Sequence, residues 1–121
     1  MQYMLLIYGD EQAWAQVPDE QLDAIHAEFF AYGDALEQAG ALVAGSALQP
    51  SSAATVVRVE DGETVLTDGP FAETKEQLGG YYLIDVETLD EALEWAAKIP
   101  SARYGHIEVR PIVMREAEVA S

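Results

Sequence analysis

The sequence predicts a single α+β domain in which two β-α-β units build one antiparallel sheet, with a β-hairpin inserted between them. Three observations carry this. Two runs have apolar residues at helical three- and four-residue steps, around residues 18–40 and 88–100. Two strand-like runs, 3–8 and 80–86, are apolar on both alternating faces. Between the two units, Asp61-Gly62 separates short alternating segments at 54–59 and 63–68, a strong hairpin signal.

Taken in order, residues 3–8 read as a central strand, with Tyr3, Leu5 and Ile7 on one face and Met4, Leu6 and Tyr8 on the other. Gly9-Asp10-Glu11 ends it, and a loop carrying Trp14 leads to Pro18, which suits a first helical turn. Asp19 and Glu20 then lie near the positive end of the helix dipole. Leu22, Ile25, Phe29, Tyr32 or Gly33, and Leu36 form the apolar stripe of a helix of about five turns ending at Gly40. Residues 41–48 form a second strand closed by Gln49-Pro50 and a Ser51-Ser52 turn.

After the hairpin and a charged loop, residues 80–86 return to the sheet. Thr88 and Glu91 have the spacing of a capping box, opening a helix whose stripe is Leu89, Ala92, Leu93, Ala96 and Ile99 and which Pro100 stops. The last strand, 106–114, contains Pro111, which cannot donate to a ladder and so belongs at a sheet edge. Residues 1–115 make up the domain and 116–121 a frayed tail. The order is the ferredoxin-like plan, βαβ-(hairpin)-βαβ, with the first strand and the strand before the second helix lying centrally.

Of 121 residues, half are hydrophobic, enough for a real core in one domain and too few for two. Twenty-two acidic residues against 6 basic ones leave a formal charge of −16, a field that repels nucleic acid and anionic membrane. There is no cysteine, which removes disulfides, thiolate catalysis and cysteine-based metal sites. The apolar run at 4–7 is short and lacks preceding basic residues, and no segment approaches a transmembrane length. A cytoplasmic protein with no nucleic-acid or membrane partner is expected.

The stretch 67–80, T-D-G-P-F-A-E-T-K-E-Q-L-G-G, is the one that reads as neither helix nor strand. Asp68-Gly69-Pro70 forces a change of direction, Phe71 is an aromatic in need of cover, and Glu73, Lys75 and Glu76 place opposite charges in one short loop. Gly79-Gly80 permits close approach of another backbone or a ligand. The run D-G-P-F-A-E-T-K-E-Q-L-G-G-Y-Y-L-I-D-V resembles the signature of the DGPF-domain, or YCII-related, family of small bacterial proteins. The resemblance extends from about Tyr3 to Val113 through Y-M-L-L-I-Y-G-D, A-L-Q-P at residues 47–50 and E-V-R-P at residues 108–111. It implies the same fold and a signature loop that lines a cleft, and says little about reaction.

Two helices cover one face of such a sheet, while both central strands are apolar on two. The second face is expected to meet its equivalent on another copy, giving a homodimer of dimeric α/β barrel-like form. In the functional reading Lys75 offers a positive point for a carboxylate or enolate while Asp68 or Glu73 takes a proton, with Phe71 and Glu76 beside them. In the structural reading Asp68 caps the turn, Lys75 pairs with Glu73 or Glu76, and Phe71 plugs the core. In the wider YCII group a helix histidine is suggested to pair with an acidic residue. Here that histidine would be His26, though the spacing to Val43-Ala44-Gly45 does not match the pattern. Arg110, sharing a strand face with His106 and Glu108, suits an anion clamp or an ion pair with Glu108. Tyr8 and Tyr81 can offer hydroxyls or simply pack.

No metal-ligand spacing or phosphate loop is present, and no cofactor is expected. The expected function is binding of an unidentified small molecule, extending to cofactor-free proton transfer on a small polar or carboxylate substrate. Asp68 or His26 would act as base and Lys75 or Arg110 as electrostatic partner. The alternative, suggested by the genomic neighbourhood of relatives, is a non-catalytic accessory protein that meets an extracytoplasmic-function sigma factor.

Overall fold

The computed structural model describes residues 1–114; the expected tail at 116–121 lies outside them. The elements run β1 (Gln2–Gly9), α1 (Glu11–Ala15), α2 (Asp19–Gln38), β2 (Leu42–Ala47), β3 (Thr55–Glu60), β4 (Glu63–Asp68), β5 (Gln77–Asp85), α3 (Leu89–Ala97) and β6 (His106–Pro111). Short 3-10 turns occupy Ser51–Ala53 and Pro100–Arg103. One sheet has the order β2-β5-β1-β6 with every neighbour antiparallel, so the two doubly apolar strands are central and Pro111 is on an edge. The hairpin β3-β4 is a separate two-stranded sheet.

The pleat decides what each central strand buries. Tyr3 and Leu5 of β1 point to the helical layer with Ile84, and together with Tyr32 and Leu36 of α2 and Ala92 and Ala96 of α3 they form the core. Met4, Leu6 and Tyr8 alternate to the other face and are half-buried, as are Tyr81 and Leu83 opposite them. Among the described residues no helix is long and apolar enough to cross a membrane.

Several elements differ from expectation, each for a local reason. The loop after β1 contains α1, because the Asp10 side chain caps it by accepting from the Gln12 and Ala13 amides. Strand β5 starts at Gln77 rather than 80, since a bulge between Ile7 and Tyr8 lets the ladder continue to Tyr8↔Leu78 and Gly9↔Gln77. Helix α2 stops at Gln38, two residues before Gly40, whose φ of 71° turns the chain away. Of the expected stripe Ala92, Ala96 and Ile99 are buried, the last just past the end of α3, while Leu89 and Leu93 are each 47% exposed. Strand β6 ends at Pro111 rather than 114.

Candidate functional site

The two ends of α2 meet the sheet differently. At its C-terminal end Tyr32 and Leu36 fill the space above β1 and β5, and the Tyr32 hydroxyl donates to the Trp95 carbonyl at 2.7 Å. At its N-terminal end the sheet offers Gly45 and Gly80 where larger side chains would reach upward. A Cβ at Gly45 would lie 2.8 Å from the Tyr82 ring, and one at Gly80 would lie 2.9 Å from the Ser46 carbonyl oxygen. Bare backbone below Leu22, Ile25, His26 and Phe29 leaves a cavity of about 680 Å³, whose lining also includes Trp14 of α1 and residues 45–50. That volume lies within the range of small-molecule sites.

Its polar side chains are mostly engaged. The Glu11 carboxylate accepts from the Ser51 backbone N–H and from the Ser51 hydroxyl, each at 2.7 Å, which ties α1 to the turn after β2. The Gln77 amide oxygen accepts from the Glu11 N–H at 3.0 Å, and its NH₂ donates to the Thr74 carbonyl. Ser101 is the exception. It lines the cavity, is 5% exposed, and its Oγ has no hydrogen-bond partner. A buried hydroxyl left unpaired costs about 1–3 kcal/mol, so an orphan of this kind calls for a reason. Burial raises the Tyr82 phenol above its ordinary pKa, and raises Tyr32 further, so both stay neutral throughout the physiological range.

The chain is matched over residues 1–116 by the family model described as the YCII-related domain. It belongs to the YCII-related family. A similar relative is an uncharacterized protein of Rhizobium meliloti (strain 1021), 42% identical over 123 residues, which cover 94% of each chain.

In this YCII-related domain the candidate residues divide between two places. His26 lines the cavity from α2, and Tyr8 and Tyr81 border it from strands whose pleat turns their side chains to the face without helices. Asp68, Phe71, Glu73, Lys75, Glu76 and Arg110 do not; they lie on or beside the loop that joins β4 to β5 and on the edge strand. Phe71 is 90% exposed and plugs no core. Gly69 takes the turn with φ 90° and donates its N–H to Ala54. Glu76 meets not Lys75 but His106, whose Nδ1 is 2.9 Å from its carboxylate. Arg110 pairs with Glu108 along its own strand, and this carboxylate and the nearby Tyr8 phenol raise its pKa.

Glu11, Trp14, Gln77 and Ser101 went unrecognised in the sequence. Trp14 and Glu11 looked like loop residues because the five-residue α1 has too little periodicity to register. Ser101, one residue after a helix-stopping proline, carries no sequence signal at all.

Proposed function

We propose that the protein binds a small molecule in the cavity between α2 and the sheet. The observation that carries this reading is a pocket of about 680 Å³ in a domain of this size, roofed by apolar side chains and floored by glycine backbone. His26 belongs to its lining from the helical side, so His26 is the base available there for proton transfer on a bound molecule. The charged loop at 68–76 is not part of the lining of this cavity. The test is a ligand screen by protein-observed NMR on the wild type and on Leu22→Trp, which fills the space. Ligands that shift cavity resonances in the wild type and not in the variant support the reading; a screen in which no compound perturbs the cavity overturns it.

The same reading takes the protein as a homodimer. Its support is the half-buried apolar row Met4, Leu6, Tyr8, Tyr81 and Leu83 on the face without helices, and the hairpin, whose Val57, Val59 and Leu66 are exposed.

A further inference from the structure

We infer that the cavity takes an organic ammonium ion with an apolar body, its cationic head seated beside the Glu11 carboxylate and its body among Trp14, Phe29 and Tyr82. This rests on the cavity being a ligand site and adds the chemistry of what occupies it.

The sign of the lining decides the charge of the ligand. Among the described residues no Lys or Arg lines the cavity, so its ionisable side chains are Glu11, His26 and Tyr82, while Tyr8 and Tyr81 turn their phenols to the other face of the sheet. Burial keeps the Tyr82 phenol neutral. The lining is therefore negative while the His26 imidazole is neutral, and balanced once that imidazole is protonated. In neither state does an anion meet a positive wall. A formal charge of −16 over the whole protein draws cations towards the opening and repels anions from it.

Glu11 is a half-buried carboxylate with no cation to match it. Its two oxygens accept from the Ser51 N–H and the Ser51 hydroxyl, and no Lys, Arg or His among the described residues forms an ion pair with it. Two neutral donors thus hold the group in place and leave its charge uncompensated, and each oxygen keeps a second lone pair. Half-burial makes its pull on a cation stronger than in open water, and leaves an ammonium head beside it enough water to limit the cost of desolvation.

The rest of the lining sets the body of the molecule. The Gln77 amide is committed to Glu11 and Thr74, and the Ser101 Oγ is sealed beneath the wall, out of a ligand's reach. What remains is mainly apolar, with Ile7, Leu22 and Ile25 beside the rings of Trp14, Phe29 and Tyr82. Such rings attract an ammonium group as well as the hydrocarbon attached to it. A flat apolar body gains contact area there with little loss of internal freedom.

Three probes on one ring system separate charge from shape: 2-(aminomethyl)naphthalene as its ammonium ion, 2-acetylnaphthalene and 2-naphthoate, titrated by NMR at low salt against the wild type, Glu11→Gln and Leu22→Trp. The wild type is expected to bind the ammonium about tenfold more tightly than the neutral ketone, and the carboxylate least. Added salt is expected to weaken the ammonium and spare the ketone. Glu11→Gln keeps an acceptor for Ser51 and removes the charge, so the ammonium is expected to fall to the affinity of the ketone; comparing the two probes within one variant cancels any loosening of the wall. If ammonium and ketone bind the wild type equally and both are lost in Leu22→Trp, the cavity stands and the ammonium assignment falls. An ammonium preference that survives Glu11→Gln overturns the role given to Glu11. Tighter binding of the naphthoate overturns the charge argument and gives the head group to His26. Failure of all three to bind overturns the inference, and the wider screen then decides separately whether the cavity binds anything.

Discussion

Glu11 and Ser51, forty residues apart in the chain, hold α1 against the turn that follows β2 through two hydrogen bonds of 2.7 Å to one carboxylate. The contact belongs to the cavity wall, whose lining includes Glu11, Trp14, Gln49 and Pro50. Hydrogen bonds to an ionised acceptor are the stronger kind. Glu11→Ala should therefore cost about 1–3 kcal/mol in urea denaturation and weaken every cavity ligand, neutral ones included. Ser51→Ala removes the hydroxyl and keeps the amide bond, so it should cost less. A Glu11→Ala variant with wild-type stability would show that the strap is not under load.

Tyr32 predicts the alkaline behaviour. Burial raises its pKa above the ordinary 10.0, with Tyr82 adding to the shift. The folded state thus holds a phenolic proton that the unfolded chain releases near pH 10, and the associated stability is complete below that pH and lost as pH rises beyond it. The melting temperature should be flat in this respect through neutrality and decline above about pH 10. Tyr32→Phe should flatten the decline while lowering neutral-pH stability by about 1 kcal/mol, the worth of the hydrogen bond to Trp95. Thermal melts from pH 7 to 11 on both proteins read it directly.

Gly45 is the position least able to accept a side chain beside the cavity. A Cβ there meets the Tyr82 ring at 2.8 Å and the Tyr81 carbonyl oxygen at 3.1 Å. Gly45→Ala should displace the ring toward the cavity and cost about 1–3 kcal/mol. Gly33→Ala is the control, because a Cβ there meets nothing within 4 Å and alanine favours the helix. Urea midpoints moving in opposite directions for the two variants are the expected result.

The order of elements, the two central strands and the edge position of Pro111 were readable because each rests on a repeating pattern: period two in residues 3–8, period 3.6 from Leu22 to Leu36, a breaker at each end. The cavity was not readable in the same way. It arises from what is missing at Gly45 and Gly80, and from a bulge at Ile7/Tyr8 that no single residue announces. Of the residues the sequence offers, His26 borders it from α2, while the hydroxyls of Tyr8 and Tyr81 belong to strands whose pleat turns them to the open face. The loop at 67–80 drew attention through its density of turn and charged residues, yet apart from the Gln77–Gly80 end that joins β5 its residues contribute nothing to the cavity wall. Density of unusual residues marks a turn as readily as a site, and only position relative to the helical layer separates the two.

His26 offers a test of function that stability does not confuse. It borders the cavity from the exposed side of the α2 stripe. His26→Ala should change the stability by no more than about 0.5 kcal/mol, as for other exposed helix positions. If bound molecules undergo proton exchange in the cavity, hydrogen–deuterium exchange at the α-carbon of 2-acetylnaphthalene should be faster with wild type than with His26→Ala. Equal exchange rates would remove the histidine from any catalytic role and leave a binding protein.

The hairpin raises a separate stability question, and its answer bears on the oligomer. An isolated two-stranded sheet is marginal in water, yet β3-β4 leaves Val57 and its cross-strand partner Leu66 exposed, at 60% and 65%. Their side of the hairpin also carries the exposed Val59. A surface of this kind is stable when a second apolar face covers it, and in the proposed homodimer that cover is the row from Met4 to Leu83 on the open face of the main sheet of the other copy. Val57→Lys combined with Leu66→Glu puts opposite charges directly across the strands, which preserves the hairpin while removing the apolar face. Sedimentation velocity at micromolar concentration should then show a dimer for the wild type and a monomer for the double variant, with the far-ultraviolet spectrum unchanged. A wild type that sediments as a monomer would leave the hairpin's apolar side to a different partner and end the dimer reading.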